Sequence, residues 1–443
     1  MSEPAAPKAQ LTVRGAIVVG VGAMVGAGIF ALLGEAGAVA GSATWISFLL
    51  AGAMSAALGY ALVKFAMRWP SSGGVIVYLQ HGYRSRRLVG VASWLGYLTA
   101  VVVVTAMVAA SFGDYAASVI ADAPSGGWLS KLCATALVVF AVWLAVAGPQ
   151  LVDRFQTGIV GLLLVVFAVF IVGTWSQVDF SRLAPSTYPG LGDIVASVAL
   201  TFFAFLGFAV ITFTGGDLPR PRRDLPIAMY ASLGITVALY VLISVGVFGT
   251  LSVDEVVDAG PRALAVAAEP ALGHAGYVMM TTAALLATAS SVTAMLYGAR
   301  GLTESLASSR MFPAVFGSGT RMGRHGGLVI TAGLIVAFVT VLDVSALASV
   351  GSGVSLAVFL LVAIAALRLR RELDASPVLV GLGVAGASVV LIGFVVNLFR
   401  TQRESFWFMI ALVVLAVVVD EVWTRRRAAL PATVAAPGDQ PVD

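Results

Sequence analysis

Two glycine-rich stretches hold the residues best suited to chemistry. Val19 to Gly41 reads VGVGAMVGAGIFALLGEAGAVAG, with GAGIF, Gly26 to Phe30, near the middle of an apolar run. Two readings of these glycines compete. Gly22 and Gly26 form a G-x-x-x-G face, which lets neighbouring helices approach closely. Alternatively, GAGIF breaks the helix, and the N–H and C=O groups set free inside hydrocarbon must then be satisfied by a ligand. A break there starts a new helix at Gly28, whose unpaired N–H donors and partial positive charge suit a carboxylate. The carbonyls that end the preceding half suit an ammonium. Val198 to Gly216, VALTFFAFLGFAVITFTGG, repeats the theme with Gly207 among aromatics at a comparable place in a later run. Paired interruptions in the two halves of a chain point to an inverted-repeat transporter with its site at the bilayer midplane.

The ionisable residues argue against catalysis. All 22 acidic residues, Glu35, Asp114, Asp193, Asp217 and Glu304 among them, lie toward the ends of apolar runs or in loops. His81, His274 and His325 are well separated, so neither a metal triad nor a catalytic base is expected. Cys133 is the single cysteine, which permits no internal disulfide and reads as a packing residue. No phosphate-binding G-x-x-x-x-G-K-[ST] loop occurs, which speaks against ATP-driven transport by this chain. No cofactor, metal or enzymatic activity is expected.

The elements that must position these stretches are membrane helices. The chain has 443 residues, 59% hydrophobic and 11% charged, with mean hydropathy +0.99, too little polar material to cover a water-soluble globule. A helix needs roughly 20 apolar residues to cross the hydrocarbon. Twelve such runs occur, at about 15–40, 42–67, 88–120, 130–148, 154–176, 191–216, 225–250, 275–308, 326–342, 344–367, 377–399 and 405–423. The first follows a polar leader and lacks a cleavage site, so it is expected to be a retained helix and not a signal peptide. With twelve spans and a cytoplasmic N-terminus, 21 Lys and Arg residues face inward and 5 outward (Lys131, Arg182, Arg262, Arg400 and Arg403). The reverse orientation violates the positive-inside rule. Both termini are therefore expected in the cytoplasm. The basic residues are spread over successive inner loops, so the net charge of +4 calls for no nucleic-acid partner; the lipid bilayer is the partner. Between the seventh and eighth runs, the external ALAVAAEPAL segment is expected to lie as a short helix over an opening. Residues 424–443 read as a disordered cytoplasmic tail. Three lysines against 23 arginines suggest a GC-rich bacterial genome and hence a bacterial cytoplasmic membrane.

Several of these stretches resemble one family. GVGAMVGAGIF, then GSATWISFLLAG, then RWPSSGG with Tyr78 beyond it, resemble the beginning of transporters of the amino acid-polyamine-organocation superfamily. FFAFLGFAVITFTGGDLPRPRRDLP, Phe202 to Pro226, is similar to that family's sixth helix and the loop after it, and ATASSVTAMLYGARGLTESLASSRMFP to the end of its eighth. Runs 1 to 3 and 6 to 8 carry the likeness, while runs 9 to 12 match in hydropathy and length only. The resemblance implies an all-α membrane protein of twelve transmembrane helices. After a leader of residues 1–14 come two inverted repeats of five, residues 15–178 and 191–367, with discontinuous helices 1 and 6, followed by two appended helices over 377–423. Transport of amino acids and related amines by alternating access is implied with it. Carried over position by position, Gly26, Ala27 and Gly28 would offer N–H groups to the substrate carboxylate. Carbonyls near Val21 and Met24 and in the second break, Ala204, Phe205, Leu206 and Gly207, would receive the ammonium, and Phe203 would cover the substrate.

Substrate and coupling follow less directly. A cationic side chain or diamine at mid-membrane calls for a carboxylate or aromatic partner. Carboxylates are missing, and Ala209 stands where cation-carrying relatives often have an acidic residue, so a neutral amino acid is expected. A transporter of cationic amino acids or polyamines with the same fold is the alternative, and a transporter-like sensor is the alternative of another class. For the coupling ion, sodium would use Thr288, Ser290 and Ser291, hydroxyls that equally serve their own helix backbone. A proton would use Glu35, Asp114 or another carboxylate, and simple exchange stays open.

Overall fold

The computed structural model describes residues 12–69, 74–121, 125–147, 149–216, 218–308, 311–317 and 325–428. The leader up to residue 11, the tail beyond 428 and most of the WPSS segment lie outside the described residues. Every regular element described is helical. Inside hydrocarbon a backbone must satisfy its own polar groups, and an apolar chain does so within a helix.

The first run folds as α1 (Val13–Ala27) and α2 (Ile29–Ala40), separated by Gly28 alone. Thr12 caps α1, its hydroxyl accepting from the Gly15 N–H at 3.1 Å. α3 (Thr44–Arg68) covers the second run, and α4 (Gly74–Gly82) follows in the next loop. α5 (Arg86–Tyr97) continues through a wide turn at Leu98–Val103 into α6 (Val104–Ala121). Next come α7 (Trp128–Ala147) and α8 (Pro149–Trp175).

The sixth run begins as α9 (Leu191–Phe203), turns at Ala204 and Phe205, and continues as a tighter helix over Leu206–Gly216. The two pieces are bent by 41°. α10 (Pro221–Thr250) follows, and then α11 (Val253–Ala259), started by a Ser252–Glu255 capping box. α12 (Ala263–Ser308) is interrupted at Gly273, whose φ of 63° belongs to the left-handed region that glycine adopts freely. The expected external helix is thus the buried first part of α12, with Ala263, Leu264, Ala267 and Ala268 fully enclosed. α13 (Gly326–Val341), α14 (Val344–Arg368), α15 (Pro377–Thr401) and α16 (Arg403–Ala428) complete the chain.

Among the described residues nine helical segments are long and apolar enough to cross a membrane, or ten if the bent pair in the sixth run is one span. Val13–Val25 and Gly326–Val341 are shorter apolar helices. The protein is therefore an all-helical, multi-pass membrane protein. α1, α3, α9, α10 and α14 pack together in the interior, with α12 against α1, α6 and α8. α15 and α16 lie outside them and turn apolar side chains such as Ile392 and Trp407 outward, as lipid-facing helices do.

Candidate functional site

The two interruptions face each other at the centre of the bundle. α1 ends at Ala27, and Gly28, with φ −100° and ψ −75°, joins it to α2, whose first internal bond runs from the Leu32 N–H to the Gly28 carbonyl at 3.0 Å. The discontinuity is narrower than GAGIF: Gly26 and Ala27 stay in the last turn of α1, and their side-chain surroundings lie outside the described residues. In the sixth run the bonds tighten at the bend, from Ala204 N–H to Thr201 O (3.1 Å), Phe205 N–H to Phe202 O (2.9 Å) and Phe208 N–H to Phe205 O (2.9 Å). Tightening spans Leu206–Gly216, far longer than the three or four residues usual for this geometry, which marks a segment held by its surroundings.

Glycine is required at both breaks by close approach. A Cβ on Gly28 would meet the Tyr240 hydroxyl and, at 2.8 Å, both the side chain and carbonyl of Ala204. On Gly207 it would strike the backbone of Ala23 and Met24. The bent segment therefore rests directly on the last turns of α1, and Met24, Gly28, Ala204 and Gly207 come together. Gly22, by contrast, faces Val160 of α8, where it serves helix packing.

One residue that no sequence pattern singled out lies between the breaks. Tyr240 of α10 is fully buried, and its hydroxyl donates to the Met24 carbonyl at 2.7 Å, with the Ala204 carbonyl 3.4 Å away. The backbone of Ile29, first residue of α2, is also within its reach. A single hydroxyl thus meets the carbonyl end of one half-helix, the amino end of the next and the bend of the other run. Its ring packs at 5.2 Å from Phe48 and 5.1 Å from Phe205. The signal available in the sequence is a phenol in the middle of VALYVLISV, which needs a polar partner when buried.

The remaining expected residues spread around this point. Val21 and Met24 are buried in α1. Phe205 faces Tyr240, while Phe203 packs on the other side, its ring where a Gly351 side chain would stand and beside Val103. Leu206 begins the tightened segment and is half-buried. On α12, Thr288 donates to its own helix at Ala284 O (2.6 Å), whereas the Ser291 hydroxyl is buried without a partner and Ser290 is buried beside it.

Two helical turns beyond Gly28, about 10.5 Å along α2, Glu35 opens into a cavity of about 460 Å³. Asp114, Lys131, Asp343 and Ser345 line it too, Glu35 facing Ser345. Asp114 accepts from the Ser130 hydroxyl at 2.5 Å and the Gly126 N–H at 2.7 Å. Nearby, Tyr115 donates to the Pro261 carbonyl, and Gly34 abuts the Gly260 backbone, so the loop between α11 and α12 closes over α2. Among the described residues no three His, Cys, Asp or Glu side chains gather as a metal site.

Comparison with known proteins agrees with this architecture. The family model described as amino acid permease matches residues 11–419. The chain is 29% identical to the inner membrane transport protein YbaT of Escherichia coli K12, over 93% of this chain and 95% of the relative. It is 24% identical to the methylthioribose transporter of Bacillus subtilis 168, over 80% of each chain. With the serine/threonine exchanger SteT of the same bacterium it shares 25% identity, over 59% of each.

Proposed function

Because the chain belongs to the amino acid permease family, a family of transporters and not of enzymes, we propose that it is a secondary transporter that moves a neutral amino acid by alternating access, binding it between Gly28 and the Ala204–Phe205 bend. The observation that carries this reading is the position of the Tyr240 hydroxyl against Met24 O, Ala204 O and Ile29. It donates to carbonyls as an ammonium would, at the amino end of α2 where a carboxylate is favoured. The substrate's charged groups displace the hydroxyl from these backbone positions, and Phe205 and Phe203 offer apolar walls on either side of the bend.

A zwitterion bound by backbone needs no charged side chain. The buried carboxylates among the described residues lie elsewhere: Asp114 accepts from Ser130 and Gly126, Asp224 from the Arg220 N–H, and Asp420 sits beside Gly90. This supports a neutral substrate over arginine, lysine or a polyamine. A relative named a serine/threonine exchanger fits the same reading. The relative named a methylthioribose transporter makes a neutral substrate without a carboxylate the competing one.

In this reading α1 and α2 together form the first span, α3 is a separate second one, α13 also spans and the bent pair counts once, so the total is twelve. The arrangement is then two repeats of five, residues 15–178 and 191–367, with α15 and α16 appended and both termini in the cytoplasm of a bacterial cell. The coupling ion is assigned to a proton carried by Glu35, a carboxyl that lines a cavity with Asp114 and Asp343 and sits two helical turns beyond the break. Sodium at Ser290 and Ser291 is the second reading, favoured by the unpartnered Ser291 hydroxyl. Uptake of labelled amino acids into proteoliposomes, with unlabelled competitors, tests the whole. Saturable uptake is expected, competed by small neutral amino acids and not by arginine, lysine, putrescine or methylthioribose. Preferential competition by the cations or by methylthioribose overturns the substrate assignment, and binding without uptake would indicate a sensor.

A further inference from the structure

A second recessed surface lies away from the breaks, between the start of α9 and the end of α15. There Val195 and Gly393 touch, so closely that a side chain on Gly393 would press on Val195 at 3.1 Å. Around this contact the two helices line a groove of about 600 Å³. Its wall on α15 is apolar and open to the outside of the bundle: Val389 is 60% exposed and Ile392 65%. Such walls face acyl chains in a membrane helix. At the mouth, where both helices end, the lining turns polar with Asp193 on α9 and Asn397, Arg400 and Thr401 on α15.

The charges at the mouth are the informative part. Asp193 lies in the first turn of α9 and Arg400 in the last turn of α15, so each has the sign its helix end favours. That explains their signs. It does not explain why, among the described residues, these opposite charges lining one groove form no ion pair with each other and have no hydrogen-bonded side-chain partner. Arg403, three residues further on, is engaged over the Phe399 ring at 5.8 Å, which leaves Arg400 as the groove's own cation. Asn397 accepts from Thr401 at 3.2 Å and keeps its amide N–H donors free for another ligand.

We propose that this groove holds one aminophospholipid of the phosphatidylethanolamine type, its phosphate on Arg400 and Asn397, its primary ammonium on Asp193 and an acyl chain along Val389 and Ile392. The charge pattern selects the headgroup. Phosphate with guanidinium is a strong charge-assisted pair, and a primary ammonium donates hydrogen bonds to a carboxylate. A trimethylated ammonium has no such donor. An anionic glycerol headgroup leaves Asp193 unpaired and adds repulsion. The bound lipid wedges α9 against α15, and α9 is the half-helix that ends at Phe203, directly before the bend of the candidate site.

Native mass spectrometry of the detergent-purified chain, mixed with equal amounts of palmitoyl-oleoyl phosphatidylethanolamine, phosphatidylcholine and phosphatidylglycerol, tests this without any transport substrate. Failure here therefore leaves the transport reading untouched. The wild-type chain is expected to retain one phosphatidylethanolamine, severalfold above the other two lipids. Arg400→Gln is expected to lower retention of all three about tenfold, the loss of one charge-assisted contact. Asp193→Asn is expected to bring phosphatidylglycerol level with phosphatidylethanolamine. Equal or better retention of phosphatidylglycerol or phosphatidylcholine by the wild-type chain overturns the proposal, and this comparison needs no variant. Retention unchanged in both variants also overturns it. So does a two-chain species whose abundance falls with Arg400→Gln, which would make the groove an interface between copies.

Discussion

Tyr240 and Met24, 216 positions apart, are joined by a 2.7 Å hydrogen bond from the phenol to the backbone carbonyl one turn before the Gly28 break. A break in a membrane helix persists only when something satisfies the groups it frees, and in this conformation part of that role falls to a side chain of α10. If a zwitterion binds there as proposed, it would exchange one set of partners for another and keep the difference in energy between empty and loaded states small.

Tyr240→Phe removes the hydroxyl and leaves the Met24 carbonyl without it in an apolar setting. A loss of about 1–3 kcal/mol is expected, the cost of a buried polar group left unpaired. It reads as a lower unfolding temperature of the empty protein, with a larger rise than wild type on adding saturating substrate. An unfolding temperature equal to wild type, with and without substrate, would contradict the role given to the phenol.

Gly28→Ala places a methyl group against the Tyr240 hydroxyl and the Ala204 carbonyl. Uptake is expected to fall at least tenfold, and stability by about 1–3 kcal/mol through overpacking. Methyl esters of the substrate are expected to bind wild-type protein poorly, because esterification removes the charge that the amino end of α2 favours. Normal uptake by Gly28→Ala, or esters binding as tightly as free acids, would return Gly28 to the status of a spacer.

Gly22→Leu acts at a distance from the site. Its side chain overlaps Val160, so thermal stability is expected to fall by about 1–3 kcal/mol, and Val160→Ala in the same chain is expected to recover at least half of it. Substrate affinity of the folded protein is expected to change less than twofold. No recovery in the double variant would mean that the two residues are not in contact in the membrane.

The two coupling readings separate in one experiment. Glu35→Gln is expected to abolish stimulation of uptake by external acid while leaving substrate binding intact, and Ser291→Ala to leave acid stimulation unchanged. If uptake instead depends on sodium and Ser291→Ala removes that dependence, the coupling site is on α12 and Glu35 is a cavity-lining residue only.

Orientation is read with the native thiol removed by Cys133→Ala. A cysteine replacing Ser308 is expected to react with an impermeant maleimide only after the cytoplasmic side is opened. One replacing Asp258, exposed on α11, is expected to react in intact cells. The opposite pattern would reverse the topology.

The membrane setting, the helical class and the places of both breaks were legible in the sequence because they depend on local properties. Apolar length decides whether a segment enters hydrocarbon, and glycines at Gly28 and Gly207 weaken a helix wherever it packs. What each glycine does was not legible. Gly22 and Gly28 lie six residues apart in one run, yet the first meets Val160 and the second meets Ala204 and Tyr240, a division made by which helices stand opposite. Tyr240 carried no motif, since a hydroxyl gains its role only from the carbonyls that distant segments bring within reach. The same holds for Asp193 and Arg400, each an ordinary helix-end charge in sequence, which share a groove only because α9 and α15 pack together at Val195 and Gly393. Local composition decides what a segment is. Side-chain function at long range depends on contacts across helices, and only the packed bundle specifies those.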